Sequence, residues 1–518
     1  MKIIDAASAA ELIEPGWCVA ASGFGGFCHA ESITAAIEER FLKTGEPRNL
    51  TIVFSASTGD RKTRGMGHLA FEGLVSRVIA GGWRGTPRLG KLAREEKIEA
   101  YAWPQGVIAQ LYRAIAAGQP GVLTRVGLGT FVDPRETGGR LNKRTTTDLV
   151  QVIDINGKDY LLFHSMPIDC VLLRGTTADE AGNITMEDEA FPLDALAMAQ
   201  AAHNSGGRVI VQVKRVVPAG TLDPNLVRIP GMLVDFGVVC TRQDQHWLSY
   251  GEMDNASYAE RRGISTVALT PALMSIDKII QRRAYLELEG LADPIINLGI
   301  GIPAGIVRIA HEEGKTNYHV TVESGVIGGF PAEELSFGAA SYPDAIIPQA
   351  SQFDFYDGGG LDVAFLGMAE LDARGDVNVS RFGDNIVGVG GFINIAQNAK
   401  RLVFVGSLTA GGTQIEIADG KLRVRAEGSI KKVVNRVQQV SFNASDAFRS
   451  GRQVTYVTER AVFELRESGL VLTEIAPGLD FQRDILALLP PTVTVDQSLK
   501  TMDPRIFNEV PMRAGDIR

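Results

Sequence analysis

Apolar positions along this chain fall into two alternating spacings. Short β-branched and aliphatic runs read as buried strands, and apolar residues three and four apart read as helices. Trp17 to Ser22 is a run of the first kind, Gly23-Phe24-Gly25-Gly26 reads as a turn, and Ile33, Ile37 and Phe41 follow at helical spacing. Repetition of this βα unit predicts an α/β fold with a mainly parallel, covered sheet.

The pattern also repeats at a larger scale. The stretch from Asp169 to Asn183 aligns without a gap on Asp362 to Asp376, with Asp169/Asp362, Leu173/Leu366, Asp179/Asp372 and Gly182/Gly375 coinciding. Downstream, Ala199-Gln200 precedes the run from Arg208, and Ala396-Gln397 precedes the run from Arg401. Upstream, the Gly23 turn has a counterpart at Gly299-Ile-Gly301-Ile-Pro303. Two related open α/β domains from an internal duplication are therefore expected, over 1–240 and 286–518. The polar stretch 241–285, with RQDQHW and DNASYAERRG, reads as the linker between them. Duplicated folds commonly place a ligand where the domains meet.

The most chemically suggestive stretch lies in the second domain, from His319 to Gly329. Val320, Thr321 and Val322 read as a strand interior that ends in one carboxylate, Glu323, with Gly325, Gly328 and Gly329 behind it. Glycines just past a strand allow a tight turn and close approach of another molecule. Glu323 is thus expected at a strand tip, facing a surface with few side chains in the way. A solvated Glu at a strand end is the bland alternative.

Composition narrows the choices. The 518 residues carry 52 Lys and Arg against 61 Asp and Glu, a formal charge of −9. That balance disfavours nucleic acid or an anionic membrane as partner. Cys18, Cys28, Cys170 and Cys240 are scattered, which suggests reduced thiols in a cytoplasm and no zinc site. No run approaches the roughly 20 apolar residues of a membrane helix.

Several chemistries can be weighed on motifs. Gly299-x-Gly301-x-x-Ala304 follows the run Ile295-Ile-Asn-Leu, and Glu323 ends the next one, close to a dinucleotide fingerprint. An NAD-linked oxidoreductase is one reading on that basis. The sequence contains no phosphate-loop lysine motif, H-E-x-x-H or G-x-S-x-G. His29, His68 and His164 lie near glycine turns and read as packed or surface histidines. Glycine clusters recur at Gly127 to Gly129, Gly138-Gly139, Gly388 to Gly391 and Gly411-Gly412. Backbone N–H groups in such loops hold phosphates or stabilise oxyanions.

The segment Val322-Glu-Ser-Gly-Val-Ile-Gly-Gly-Phe-Pro331 resembles the catalytic-glutamate motif of the family I CoA-transferases. Gly127 to Asn142, Phe353 to Asp362 and Gly390 to Gln397 resemble the single-chain acetate/propionate branch, and Phe392 stands where succinyl-using relatives have a small residue. The resemblance runs from Gly23 to about Pro477. It implies two domains of the open type shared with ribose-5-phosphate isomerase and glucosamine-phosphate deaminase: an α-like N-terminal one facing the carboxylic acid and a β-like C-terminal one with the glutamate and the CoA site. It implies Glu323 as the nucleophile, a glutamyl-CoA thioester and ping-pong transfer of CoA between a short-chain acyl-CoA and a free carboxylic acid. Backbone groups of Gly388, Val389, Gly390 and Gly391 are expected to serve the oxyanion or CoA, with Gly367 and Met368 along the CoA tail. Gln105, Gly25 and Gly26 are expected on the substrate side. CoA enters as a substrate thioester and no cofactor is permanently bound. A cytoplasmic homodimer or homotetramer is expected. An acyl-CoA hydrolase on the same scaffold, or a non-catalytic binding subunit, would share these motifs.

Overall fold

The structure is a computed structural model that describes residues 1–259 and 271–515. It divides into two compact units. Unit 1 comprises Met1–Arg262, Val322–Asp354 and Ser380–Asn394, and unit 2 comprises Gly263–Thr321, Phe355–Val379 and Ile395–Arg518. The segments that carry Glu323 and the Gly388 loop thus pack with the N-terminal part of the chain. Residues 260–270 of the expected linker lie outside the described residues.

The main sheet of unit 1 runs in the order Lys2–Ile4, Phe236–Val239, Arg208–Val213, Cys170–Arg174, Cys18–Ala21, Leu50–Phe54, Val75–Ala80, Glu99–Ala102. Every neighbouring pair is parallel. The central strands Cys170–Arg174 and Cys18–Ala21 are buried at every residue, which is why they read as unbroken apolar runs and not as an alternation. Helix Ala195–Asn204 packs on Cys170–Arg174 and Arg208–Val213 and against helix Gln105–Ala116.

In unit 2 the strands His319–Thr321, Ile295–Leu298, Val363–Gly367, Arg401–Val405 and Gln453–Val457 are parallel neighbours in that order. An antiparallel hairpin, Ala461–Arg466 with Gly469–Ile475, extends them, and Thr494–Thr501 pairs in parallel with its second strand.

The expected duplication extends to single hydrogen bonds. Asp169 Oδ2 accepts the N–H of Cys18 at 2.7 Å, and Asp362 Oδ2 accepts that of Ile295 at 2.9 Å. Each aspartate ties the start of one strand to the start of its parallel neighbour. Beyond each main sheet sits the same small motif. Thr177–Asp179 pairs antiparallel with Ile184–Thr185 and parallel with Arg215–Val217. Glu370–Asp372 does the same with Val377–Asn378 and Val433–Val434. No helix of the described residues is long and apolar enough to cross a membrane.

Candidate active site

Glu323 lies in a reverse turn directly after the strand His319–Thr321. The turn is closed by Gly325 N–H donating to Val322 O at 3.0 Å, and Val322 N–H donates to Val326 O at 2.9 Å. Gly325 has φ +102°, and a Cβ there would come within 2.0 Å of the Ile347 carbonyl oxygen, so only glycine fits. Ser324 is fully buried and donates to Gly338 O at 2.5 Å, which pins the other central residue of the turn.

The carboxylate does not face an open surface, as the sequence pattern led one to expect. Glu323 is 8% exposed, and its Oε2 has no hydrogen-bond partner among the described residues. Gly391 and Phe353 close over it. A Cβ on Gly391 would sit 2.9 Å from Glu323 Cγ and 3.1 Å from Phe353 Cζ. Burial disfavours the charged form and pushes the carboxyl up to about 7. A carboxyl raised by burial, with no opposite charge beside it, is a recurrent signature of a reactive group.

The loop from Gly388 to Gly391 reaches this place by docking on the end of the strand Val75–Ala80. Val389 and Gly390 both donate their N–H to Gly81 O at 2.9 Å, Gly388 donates to Ser380 O at 3.1 Å, and Gly388 pairs with Gly82. The expected row of free oxyanion donors is therefore corrected: three of the four amides hold the loop in place. Among the described residues only the Gly391 N–H lacks a protein acceptor, at the head of helix Phe392–Asn398.

Gln105 stands on the same loop. Its backbone N–H donates to Gly390 O at 2.9 Å, and its Oε1 lies 3.5 Å from where a Gly390 Cβ would be. Gln105 and Glu323 thus flank consecutive glycines. Gln105 is the first residue of helix Gln105–Ala116, after Trp103-Pro104, and is 3% exposed. Asn394 and Phe353 complete the wall: Asn394 Oδ1 accepts from Gly106 N–H at 3.2 Å, and a side chain on Gly106 would collide with Phe353.

Gly25 and Gly26 form a packed turn and not an open donor pair. Gly25 N–H donates to Ser57 O at 2.6 Å, and Gly25 O accepts from Gly59 N–H at 2.9 Å. A Cβ on Gly26 would fall 2.7 Å from Leu335 O and 2.8 Å from Tyr250 N. These glycines exist because other backbone already occupies the space. Gly367 and Met368 belong to unit 2, at the end of strand Val363–Gly367, where Met368 N–H donates to Val405 O at 2.9 Å. The loop from Gly127 to Asn142 wraps the Asp133 carboxylate, which accepts from the Gly129 and Arg135 N–H groups and from the Arg135 guanidinium. Its Gly139 carbonyl then accepts from Ala102 N–H at 2.9 Å, bracing the strand that leads to Gln105.

His29 is a packed histidine: it bonds Ser22 O and Thr34 Oγ1 at 3.0 and 2.9 Å, and burial holds it down to about 4. His68 bridges the carboxylates of Glu31 and Glu38. Sequence reasoning missed Gln349, Asp194 and Ser55, which form a buried chain of hydrogen bonds behind Gln105. Nothing in their local sequence marks them, because the three are joined only by the tertiary fold.

Comparison with known proteins gives the chain a family. Residues 3–239 fit the sequence profile of Coenzyme A transferase. The chain is 43% identical over 496 residues to Acetate CoA-transferase YdiF of Escherichia coli (strain K12), covering 96% of this chain and 92% of that protein. It is 44% identical over 516 residues to Caffeate CoA-transferase of Acetobacterium woodii, covering 98% of both. The crystal structure of YdiF from Escherichia coli O157:H7, a thioester complex with CoA, superposes with a TM-score of 0.92 at 41% identity, over 99% of this chain and 97% of that one. The dinucleotide reading of Gly299 to Glu323 is thereby set aside: Gly299 to Ala304 is a strand-to-helix turn in a chain whose relatives are CoA-transferases. The chain belongs to the coenzyme A transferase family.

Proposed function

We propose that this enzyme transfers CoA between a short-chain acyl-CoA and a free carboxylic acid, with Glu323 as the nucleophile. The observation that carries the reading is the buried Glu323 carboxyl, with Oε2 unpartnered among the described residues and Gly391 against its Cγ. An ionised Glu323 oxygen attacks the thioester carbonyl, the C–S bond breaks, and a glutamyl–acyl anhydride and CoA thiolate result. The thiolate attacks the glutamyl carbonyl, the anhydride C–O bond breaks, and the first acid leaves with its carboxylate. A second carboxylate attacks the glutamyl-CoA thioester and the two steps run in reverse. This is covalent, ping-pong catalysis that conserves the thioester.

A carboxylate is a modest nucleophile, so orientation and oxyanion donors must supply the rate. The Gly391 N–H and the one Gln105 Nε2–H not taken by Gln349 are the donors this reading uses, and one well-placed donor contributes roughly 3 kcal/mol. Val322 and Val326, on either side of the glutamate, sit in an apolar cluster with Phe24, Phe27, Phe191, Tyr258 and Ala339. Such surroundings suit a hydrocarbon acyl tail better than a second carboxylate. Exclusion of water from Glu323 favours transfer over hydrolysis of the activated intermediates. Gly367 and Met368 would line the CoA tail. The reading invokes no resident cofactor, and a homodimer or homotetramer in the cytoplasm is its expected setting.

Glu323→Ala should leave the melting temperature near that of the wild type and abolish transfer from acetyl-CoA to propionate. Retention of more than about 1% of the rate would remove the glutamate from the mechanism. CoA release by the wild type should depend on the added acid. Release that proceeds equally without it would establish a hydrolase instead.

A further inference from the structure

Behind Gln105 runs a hydrogen-bonded chain without exposed members. Gln105 Nε2 donates to Gln349 Oε1 at 2.9 Å. Gln349 Nε2 donates to Asp194 Oδ2 at 2.7 Å and to Ser55 Oγ at 3.0 Å. Ser55 Oγ donates to the same Asp194 Oδ2 at 3.1 Å. Gln349 is 0% exposed, Gln105 3%, Asp194 4% and Ser55 6%. Gln349 opens helix Gln349–Asp357, Gln105 opens helix Gln105–Ala116, and Asp194 directly precedes helix Ala195–Asn204. Three rigid elements therefore bring these side chains to one point.

The chain has a direction. The two ends of a carboxamide have nearly the same shape, and only their partners decide which end points where. Asp194 Oδ2 accepts, so Gln349 must present its nitrogen to it. The Gln349 oxygen is then left to face Gln105, and Gln105 must present its own nitrogen in return. One of the two Gln105 N–H groups is consumed and the second remains, with Gln105 Oε1 on the side of Gly390. Were Gln349 reversed, its NH₂ would face the NH₂ of Gln105, and Gln105 would have to turn its oxygen inward and its NH₂ towards Gly390, exchanging the acceptor it now presents there for a donor.

We propose that Asp194 and Gln349 are positioning residues for the transfer reaction: the carboxylate of Asp194 locks the amide of Gln349, which locks the amide of Gln105. The inference rests on Gln105 serving the reaction at Glu323, as proposed above. A packing role alone would not require a carboxyl at Asp194. Its Oδ1 has no hydrogen bond among the described residues, the Ala350 backbone N–H also meets the carboxyl, and an apolar side chain here would leave the buried Gln349 amide and Ser55 hydroxyl without their acceptor. Burial also pushes this carboxyl up to about 7.

The test is a double-mutant cycle, with methionine replacing glutamine at similar length and without donor or acceptor. Q349M should lower kcat for transfer from acetyl-CoA to propionate by about 10- to 100-fold, with KM for acetyl-CoA within about threefold of wild type. Q105M should cost at least as much. The double variant Q105M/Q349M should match Q105M within about twofold, since Gln349 acts only through Gln105. D194N, which keeps an acceptor oxygen, should lose less kcat than D194A. A Q349M enzyme with wild-type kcat, or losses that multiply in the double variant, would overturn the proposal. If D194A does not fold, Q349M and the cycle decide alone. A CoA adduct on Glu323 of the wild type, measured in parallel, separates the two failures: its absence sinks the nucleophile, whereas its presence with a neutral Q349M sinks only the positioning chain.

Discussion

At the scale of single residues, the decisive feature is a carboxyl kept from water without a counter-charge. Glu323 is raised from 4.5 to about 7 by burial, so the folded protein holds a proton on it over a pH range where the unfolded chain does not. Between those values stability falls as pH rises, because the native state binds more protons than the unfolded one. Glu323→Gln carries no charge to desolvate. The variant should therefore be more stable than wild type at pH 8.5, by up to about 3 kcal/mol, and equal to it near pH 4.5. Thermal melts of both proteins across that range check this; a constant offset would mean that Glu323 ionises freely in the fold. The identity of this residue was legible in the sequence, from a β-branched run ending in Glu323 and three glycines. Its burial was not, because Gly391 and Phe353 reach it from elsewhere in the chain. The partners of Gln105 were hidden for the same reason: Gln349 is 244 residues away from it and Asp194 lies 155 residues from Gln349.

Among the elements, the loop from Gly388 to Gly391 does the most. The motif was visible as a glycine cluster, and a cluster of that kind suggests free amides. In the fold, most of those amides dock the loop on Gly81 and Ser380, and the lack of a side chain at Gly391 makes room for Glu323. Gly391→Ala should accordingly fold, since the helix it precedes tolerates alanine, but its methyl must displace the Glu323 side chain or Phe353. A fall in kcat of at least about 100-fold with a melting temperature within a few degrees of wild type is expected. Full activity would show that the carboxylate does not work from the position it occupies. The other glycine clusters illustrate how little a cluster says alone. Gly25-Gly26 gives way to neighbouring backbone, and Gly127 to Gly139 folds around Asp133. Sequence cannot tell a glycine that admits a ligand from one that admits another part of the same chain.

For the whole molecule, the α/β class and the duplication were legible because both rest on local periodicity. The pairs Asp169/Asp362 and Asp179/Asp372 mark the same positions in each half, down to the strand-start hydrogen bonds. The division into compact units was less visible, since Val322–Asp354 and Ser380–Asn394 leave the second half to join the first. That exchange gathers Glu323, Gln105, Gln349, Asp194 and Gly391 into one unit. The most direct measurement of the central claim is peptide mass spectrometry after incubation with acetyl-CoA and no acceptor acid. The account predicts a CoA adduct on the peptide containing Glu323 that disappears when acetate is added. CoA released with no adduct on that peptide would contradict it.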